Sequence, residues 1–372
     1  MTGGALTDRT QAGSRGDATG STGAQAAPGT RCRLAVVIPA YNAAATLTGC
    51  LAALRASTRQ PDDLILYDDG STDGTGDIAR NAGIRVLRNP GPPVGPARGR
   101  NTAARATDAD LIVFVDSDVV VHADAIERLE AALTSDSSLS AAYGSYDAHP
   151  PVRRLAARYA NIRHHYIHQT SAVETVTFWT GLGAIRRQAL VSIGGFDEHF
   201  ESPIIEDIDL GARLHASGRR IRIVPGALGA HCKNWSLRQL WWTDITRRAI
   251  PWARLLAGGG GETGHLNASP RERHAAVAAH AVWMTALAAG FVHGPGPGLA
   301  CLGAAGTYLW LNRRLFRLFL DAGGLRLVVA GVGLHWLYHL YASAIYGTIL
   351  LGTRVGLLPT HVPAIVEQRV AP

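Results

Sequence analysis

The sequence predicts an α/β domain built on a mostly parallel sheet, followed by C-terminal helices long enough to cross a bilayer. Three observations carry this. Short apolar runs of four or five residues alternate with helix-like stretches from residue 34 to about residue 135. Two of those runs end in acidic clusters, Asp68-Asp69 and Asp116-Ser117-Asp118. Beyond residue 274 charge disappears in two long blocks. Strands buried on both faces read as continuous apolar runs, and their alternation with helices makes neighbouring strands parallel.

Residues 1–30 are Gly, Ala, Thr and Ser with scattered charge and no apolar run, so they read as a disordered tail and not as a signal peptide or a span. The first strand is Leu34–Ile38, which ends at Pro39. A helix over Ala44–Ala56 comes next. The strand Leu64–Tyr67 runs into Asp68-Asp69-Gly70. A helix over Asp77–Asn81 leads to a third strand, Ile84–Leu87, and Pro96–Ala106 is the next helix. The strand Leu111–Val115 ends at Asp116-Ser117-Asp118, and Ala123–Leu133 is the helix after it. In such sheets ligands bind beyond the carboxyl ends of the strands, where both acidic clusters lie.

Residues 275–311 and 327–353 contain no Asp, Glu, Lys or Arg. A span needs about 20 predominantly apolar residues. The first block therefore holds two spans joined by the turn Gly294-Pro-Gly-Pro-Gly298, and the second holds one. Arg271 and Arg273 precede the first block, and Arg313, Arg314, Arg317 and Arg326 separate the two. The positive-inside rule then puts the N-terminal domain and this arginine loop in the cytoplasm. Between domain and spans, residues 235–252 hold four of the eight tryptophans beside Arg238, Arg247 and Arg248, a pattern suited to the headgroup layer.

Composition narrows the function. Hydrophobic residues are 47% and charged residues 17%, leaner in charge than the roughly 25% of soluble domains, which excludes a wholly disordered chain. Four cysteines lie far apart without a Cys-x-x-Cys pair, which argues against a disulfide framework or a cysteine zinc site. The net charge of +7 is almost all arginine, since Lys233 is the one lysine. The arginines are dispersed or lie beside the uncharged blocks instead of forming a basic stripe with stacking aromatics, so nucleic acid is not the expected partner.

The chemistry is read from four segments. Asp116 and Asp118, two carboxylates at a strand tip, can share a hard divalent cation that also takes phosphate oxygens. In Asp68-Asp69-Gly70-Ser71-Thr72-Asp73, Gly70 permits a sharp turn, and a carboxylate there can accept from a nucleobase N–H. Pro96-Ala-Arg-Gly-Arg-Asn101 opens a helix, and an N-terminus flanked by Arg98 and Arg100 suits a pyrophosphate. Gly194-Gly-Phe-Asp-Glu198 precedes Glu206-Asp207 at the start of a helix over Ile205–Leu214, where a carboxylate can act as general base.

Together these segments, with Val36-Val-Ile-Pro-Ala-Tyr-Asn42 and Thr180-Gly-Leu-Gly-Ala-Ile-Arg186, resemble the family-2 glycosyltransferases of the GT-A fold from about Leu34 to about Trp252. The resemblance implies a Rossmann-like, mostly parallel GT-A sheet and an inverting hexosyl transfer from a nucleotide-sugar, a UDP- or GDP-hexose. It implies that Pro39, Ala40 and Tyr41 line the nucleotide pocket, that Asp69 meets the base with Asp68 near it, and that Arg100, with Gly99 in place of the family's Ala, or Arg98 serves the diphosphate. Asp116 would contact ribose or metal. Asp118 would ligate Mn²⁺ or Mg²⁺, with His231 completing the metal site. Asp207 would be the catalytic base beside Glu206. Arg247-Arg-Ala-Ile-Pro-Trp252 lacks the Gln and the Arg before Trp of processive synthases.

The expected organisation is a tail over 1–30, a GT-A catalytic domain over 31–230, interfacial helices over 231–274, a membrane region of about three spans over 275–353 and a tail over 354–372. The expected setting is the inner (plasma) membrane with a cytoplasmic catalytic domain. The expected acceptor is a lipid or a lipid-linked sugar, with polyprenyl-phosphate glycosylation and polysaccharide synthesis as alternatives.

Overall fold

A computed structural model describes residues 31–258 and 269–358. The expected N-terminal tail and most of the C-terminal one lie outside the described residues. The first half alternates as the apolar pattern demands: β1 (Leu34–Ala40), α1 (Ala44–Arg55), β2 (Asp63–Asp68), α2 (Thr75–Asn81), β3 (Arg85–Arg88), α3 (Pro96–Arg105) and β4 (Leu111–Val115). Then come β5 (Val119–Val121), α4 (Ala125–Ser135), β6 (Leu139–Tyr146), α5 (Leu155–Thr170), β7 (Glu174–Thr175), β8 (Leu182–Arg186), α6 (Arg187–Ser192), α7 (Glu206–Ala216) and β9 (Arg220–His231).

All nine strands join one sheet, in the order β3-β2-β1-β4-β8-β6-β9-β5 with β7 against β9. Strands β1 to β4 are mutually parallel, as expected. Beyond β4 the sheet is mixed. β8 runs antiparallel to β4 and β6, β9 is parallel to β6, and β5 and β7 are antiparallel to β9. Strand β9 carries Pro225 and Gly226 within it, and its pairing with β6 shifts register there, from Tyr143↔Ile223 to Ser145↔Leu228, before the strand continues to His231. Its pairing Val119↔His231 sets His231 beside Asp118.

The central strands bury because they are apolar on both faces. Every side chain from Leu111 to Val115 is fully buried, and each large aliphatic one contributes about 1.5–3 kcal/mol. Phe114 meets Phe178 and Phe196 edge to face, with centroids 6.5 Å and 5.2 Å away. The Phe of Gly194-Gly-Phe-Asp197 is thus a core residue that pins this loop under the acidic tip of β4.

The chain continues through α8 (Leu237–Trp242), a π-helical stretch (Thr243–Ala249) and α9 (Ile250–Ala257). Trp241 and Trp242 face outward, whereas Trp235 is buried and Trp252 packs against the core. Last come α10 (Pro270–Ala289) and α11 (Gly296–Arg354), the second broken at Gly324, whose φ of 65° is not helical. The result is three helical segments, as many as expected. The arginine-bearing stretch before Gly324 is helical, however, and not a loop.

The expectation of membrane spans is not met. Among the described residues no helix is long and apolar enough to cross a membrane. Lack of charge is not the same as apolarity. Ala and Gly fill much of both blocks, and His280, Asn312, His335 and His339 sit within these helices. α11 packs on α5 and α9 and α10 packs on α11, and Tyr308, Leu315, Phe316 and Phe319 of α11 join the core of the sheet domain.

Candidate active site

The carboxyl ends of β2 and β4, the start of α3, the start of α7 and the end of β9 converge. At the centre of this convergence is Arg100, 3% exposed in the first turns of α3. Its Nη1 donates to Glu206 Oε1 at 2.8 Å and its Nη2 to Asp116 Oδ1 at 2.9 Å. Burial alone would lower its pKa, but the charges of Asp116 and Glu206 prevail and raise it. Gly99 lets this turn lie close to β2, because a Cβ there would sit 2.7 Å from the Tyr67 ring. Arg98, by contrast, is half exposed and donates to Glu198 Oε2 at 3.1 Å.

Asn101 is buried beside Arg100. Its Oδ1 accepts from Phe196 N at 2.9 Å, and its Nδ2 donates to Phe196 O and to Glu198 Oε1, both at 2.9 Å. Gly195 makes room for it: φ is 77°, and a Cβ would lie 2.5 Å from Asn101 Oδ1.

Asp118 and Asp116 part company. Asp116 turns to Arg100. Burial raises its pKa, Arg100 opposes this, and Asp118 adds to the rise. Asp118 Oδ2 lies 3.4 Å from His231 Nε2. Burial works against its ionised form, but His231 and then Lys233 outweigh that and hold its pKa below the ordinary value. His231 is fixed from behind. Its Nδ1 meets Asn161 Oδ1 at 2.8 Å, and its ring stacks on Tyr146 at 4.6 Å. A ring nitrogen aimed at a carboxylate, with the other nitrogen held by an amide oxygen, is how metal-binding imidazoles are oriented. The donor set of Asp118 and His231 therefore fits a divalent cation, with Asp116 two residues away at the same strand tip.

Asp207 Oδ2 lies 3.3 Å from Thr180 N and 3.4 Å from Thr180 Oγ1. Burial, then the neighbouring Glu206 charge, pushes its pKa up to about 7, against the opposing pull of Arg100. Glu206 is occupied, since its other oxygen accepts from Ile204 N at 2.9 Å.

The nucleotide-side residues divide. Tyr41 is half exposed beyond the tip of β1, after Pro39 and the buried Ala40. Asp69 spends both oxygens on the loop after β3, accepting from Val94 N at 3.0 Å, Gly95 N at 2.8 Å and Asn89 Nδ2 at 2.9 Å. Asp68 is fully buried and accepts from Ser71 N at 2.9 Å, which closes the turn. Asp68 thus shapes the loop from inside, and Asp69 anchors its far wall.

Sequence reading missed Asn161, which lies in the middle of α5 with no motif around it. It also missed Tyr146 and the half-buried Trp179, which meet edge to face at 4.7 Å beside His231. A Trp immediately before Thr180 was the available signal.

The family described as Glycosyl transferase family 2 matches residues 35–194, and that described as Glycosyltransferase like family 2 matches residues 162–256. Between them they span every residue of the site. The chain is a family-2 glycosyltransferase. Over 247 residues it is 28% identical to the O-antigen chain rhamnosyltransferase RfbN of Salmonella typhimurium, covering 62% of this chain and 78% of that one. It is 32% identical to the pre-mycofactocin glycosyltransferase of Mycobacterium tuberculosis, over 58% of this chain and 45% of that one. A mannosyltransferase of Pyrobaculum calidifontis, solved with GDP-Man and Mn²⁺, superposes with a TM-score of 0.47 at 20% identity, over 89% of this glycosyltransferase and 88% of that chain.

Proposed function

We propose that this glycosyltransferase moves a hexose from a UDP- or GDP-sugar, with inversion, to a lipid-linked acceptor at the cytoplasmic face of the inner membrane. The observation that carries the reaction type is the Asp207 carboxyl, pushed up to about 7 and set beside Thr180. A group poised near neutrality can take a proton from a hydroxyl as that oxygen attacks. The acceptor oxygen bonds to the anomeric carbon as the bond to the diphosphate breaks on the opposite face, and the acceptor proton passes to Asp207. Asp118 and His231 would hold Mn²⁺ or Mg²⁺, which supplies charge neutralisation for the leaving diphosphate. Arg100 keeps Asp116 and Glu206 in register. With one carboxylate acting as base and the acceptor oxygen itself attacking the anomeric carbon, the single displacement inverts the centre, unlike the route through a carboxylate nucleophile, which retains it.

A lipid-linked acceptor is supported by the surface of α10 and α11. Trp283, Met284, Leu287, Phe291, Leu302 and Trp310 are among the large apolar side chains exposed on these helices and the turn between them. Extensive exposed apolar surface marks a membrane or partner contact. The relatives named O-antigen chain rhamnosyltransferases support an envelope glycan and add a rhamnosyl donor to the candidates.

The deciding experiment is a donor screen with the full-length protein and Mn²⁺, reading released nucleoside diphosphate and label in the lipid extract. Transfer of label to extracted lipid is expected. Transfer confined to a water-soluble acceptor would sink the lipid-linked reading. Product formed on polyprenyl phosphate alone would favour the phosphate-acceptor variant.

A further inference from the structure

The helical region contains a second cluster of metal-type donors that the transfer reaction does not use. Glu272 of α10 and His335 and His339 of α11 are 5%, 1% and 3% exposed, and one donor atom from each lies within 4.8 Å of the others. His335 and His339 are four residues apart on one helix, so both rings project from the same face. Glu272 faces them from the neighbouring helix, with Oε2 3.2 Å from His339 Nε2.

Each imidazole is also held on its far side. His339 Nδ1 lies 3.3 Å from Tyr308 Oη. His335 sits between Tyr159 Oη, 3.2 Å from Nδ1, and Asn312 Oδ1, 3.1 Å from Nε2. Whichever His335 nitrogen turns to the ion, the other keeps an oxygen partner. Asn312 is itself tied down, with Nδ2 donating to Tyr308 O at 2.9 Å. Oxygen partners on the non-ligating nitrogens fix the ring and tautomer and are a regular part of metal sites.

We infer that Glu272, His335 and His339 form a buried structural site for a Zn²⁺-class divalent ion. Two imidazoles and one carboxylate suit borderline metals such as Zn²⁺ or Co²⁺ better than Mg²⁺ or Ca²⁺. Zinc bonds of about 2.0–2.2 Å need donors roughly 3.4 Å apart, and the Glu272–His339 pair is already near that separation. A small side-chain rotation brings in His335, and the Asn312 oxygen or a water completes the tetrahedron. The burial of all three donors makes the site closed, so its role is to clamp helices. It joins α10 to α11, and through Tyr159 it reaches α5, the helix that also carries Asn161 behind His231.

The test uses full-length protein with Asp118→Ala, which removes the proposed catalytic ion, so that failure of the catalytic reading does not obscure the result. After chelator stripping, Zn²⁺ should be taken up at one equivalent and should raise the melting temperature. Co²⁺ should give the intense visible absorption of a tetrahedral site. Adding His335→Gln and His339→Gln should abolish the Co²⁺ spectrum and weaken Zn²⁺ binding at least tenfold. Glu272→Gln, a milder change, should weaken it while leaving the fold intact. Absence of Zn²⁺ uptake and of any melting shift in the Asp118→Ala protein would overturn the site. So would equal Zn²⁺ affinity in the Glu272→Gln variant, which would leave the cluster as a hydrogen-bond network only.

Discussion

Arg100 donates to Asp116 across 2.9 Å, linking the start of α3 to the tip of β4. The same guanidinium holds Glu206 at 2.8 Å, so one cation spaces three acids: Asp116, Glu206 and, through the charge it places nearby, Asp207. Breaking a buried pair by removing one partner costs about 3–5 kcal/mol, because the remaining charge loses its compensation. Arg100→Met is expected to lower stability by that order, measured by denaturant unfolding. Arg100→Lys keeps charge but cannot bridge two carboxylates, and should lose most turnover while recovering part of the stability.

Asp118→Ala should abolish turnover and metal-dependent binding of a nucleoside diphosphate while the far-UV spectrum stays native. Calorimetric titration with and without Mn²⁺ checks this. Unaltered Mn²⁺-dependent binding would remove Asp118 from the metal site.

Asn161→Leu tests the support behind His231 without touching any reacting group. Loss of such a partner typically weakens metal affinity by about 10–100-fold. The Mn²⁺ activation curve should move to higher concentration by that factor, with maximal rate restored at saturation. A lower maximal rate at unchanged Mn²⁺ requirement would mean that Asn161 acts elsewhere.

Asp207→Asn should bind donor and metal nearly normally and lose transfer to a hydroxyl by about 10²–10⁴-fold. The pH dependence has a definite sign. Burial and Glu206 push this carboxyl up to about 7, so the base is protonated below that pH and transfer should decline as pH falls through neutrality. The Asn variant should lack this limb. Stability moves the other way. The folded state prefers the proton, so the group's cost to folding grows as pH rises from the ordinary carboxyl range to about 7 and is complete above it. Asp207→Asn should therefore melt higher than the parent at alkaline pH, and lower stability there would argue against the raised carboxyl.

The exposed apolar face of α10 and α11 should bring the chain to vesicles containing anionic lipid. Flotation should be reduced by Leu302→Glu with Trp310→Glu, both on exposed positions. Equal flotation of parent and variant would discount this face as the membrane contact.

How far the sequence could be read depended on whether the signal was local. Strands β1, β2 and β4 were legible because each holds a continuous apolar run ended by a turn, β3 because its short Val86-Leu87 pair follows a helix and a turn, and the catalytic acids because they stand near element ends. Asp118 and His231 lie far apart in the chain and meet through the Val119↔His231 register, so resemblance could pair them but no local pattern could. Asn161 and Trp179 have no pattern of their own, since a helix interior and a loop supply their positions. Resemblance suggested nucleotide contact for Asp69, but its carboxylate is engaged by the amides of Val94 and Gly95, which no spacing rule announces. The uncharged C-terminal blocks revealed helices correctly. They said less about lipid, because polar uncharged residues were counted as if they were apolar.

The π-helical stretch Thr243–Ala249 sets the rotational phase of α9. Asp244, near its beginning, is buried and accepts from Arg163 Nη1, Tyr341 Oη and Arg248 Nη1, each at 3.0 Å. A wider turn advances the chain by one residue relative to an α-helix, a rotation of about 100° for everything downstream. Trp252 therefore points inward and α9 presents its packing face to α11 only while that extra residue is present. Deleting a single residue between 243 and 249 would turn α9 on its axis and undock it from α11, a larger lesion than a point substitution at an exposed position of the stretch.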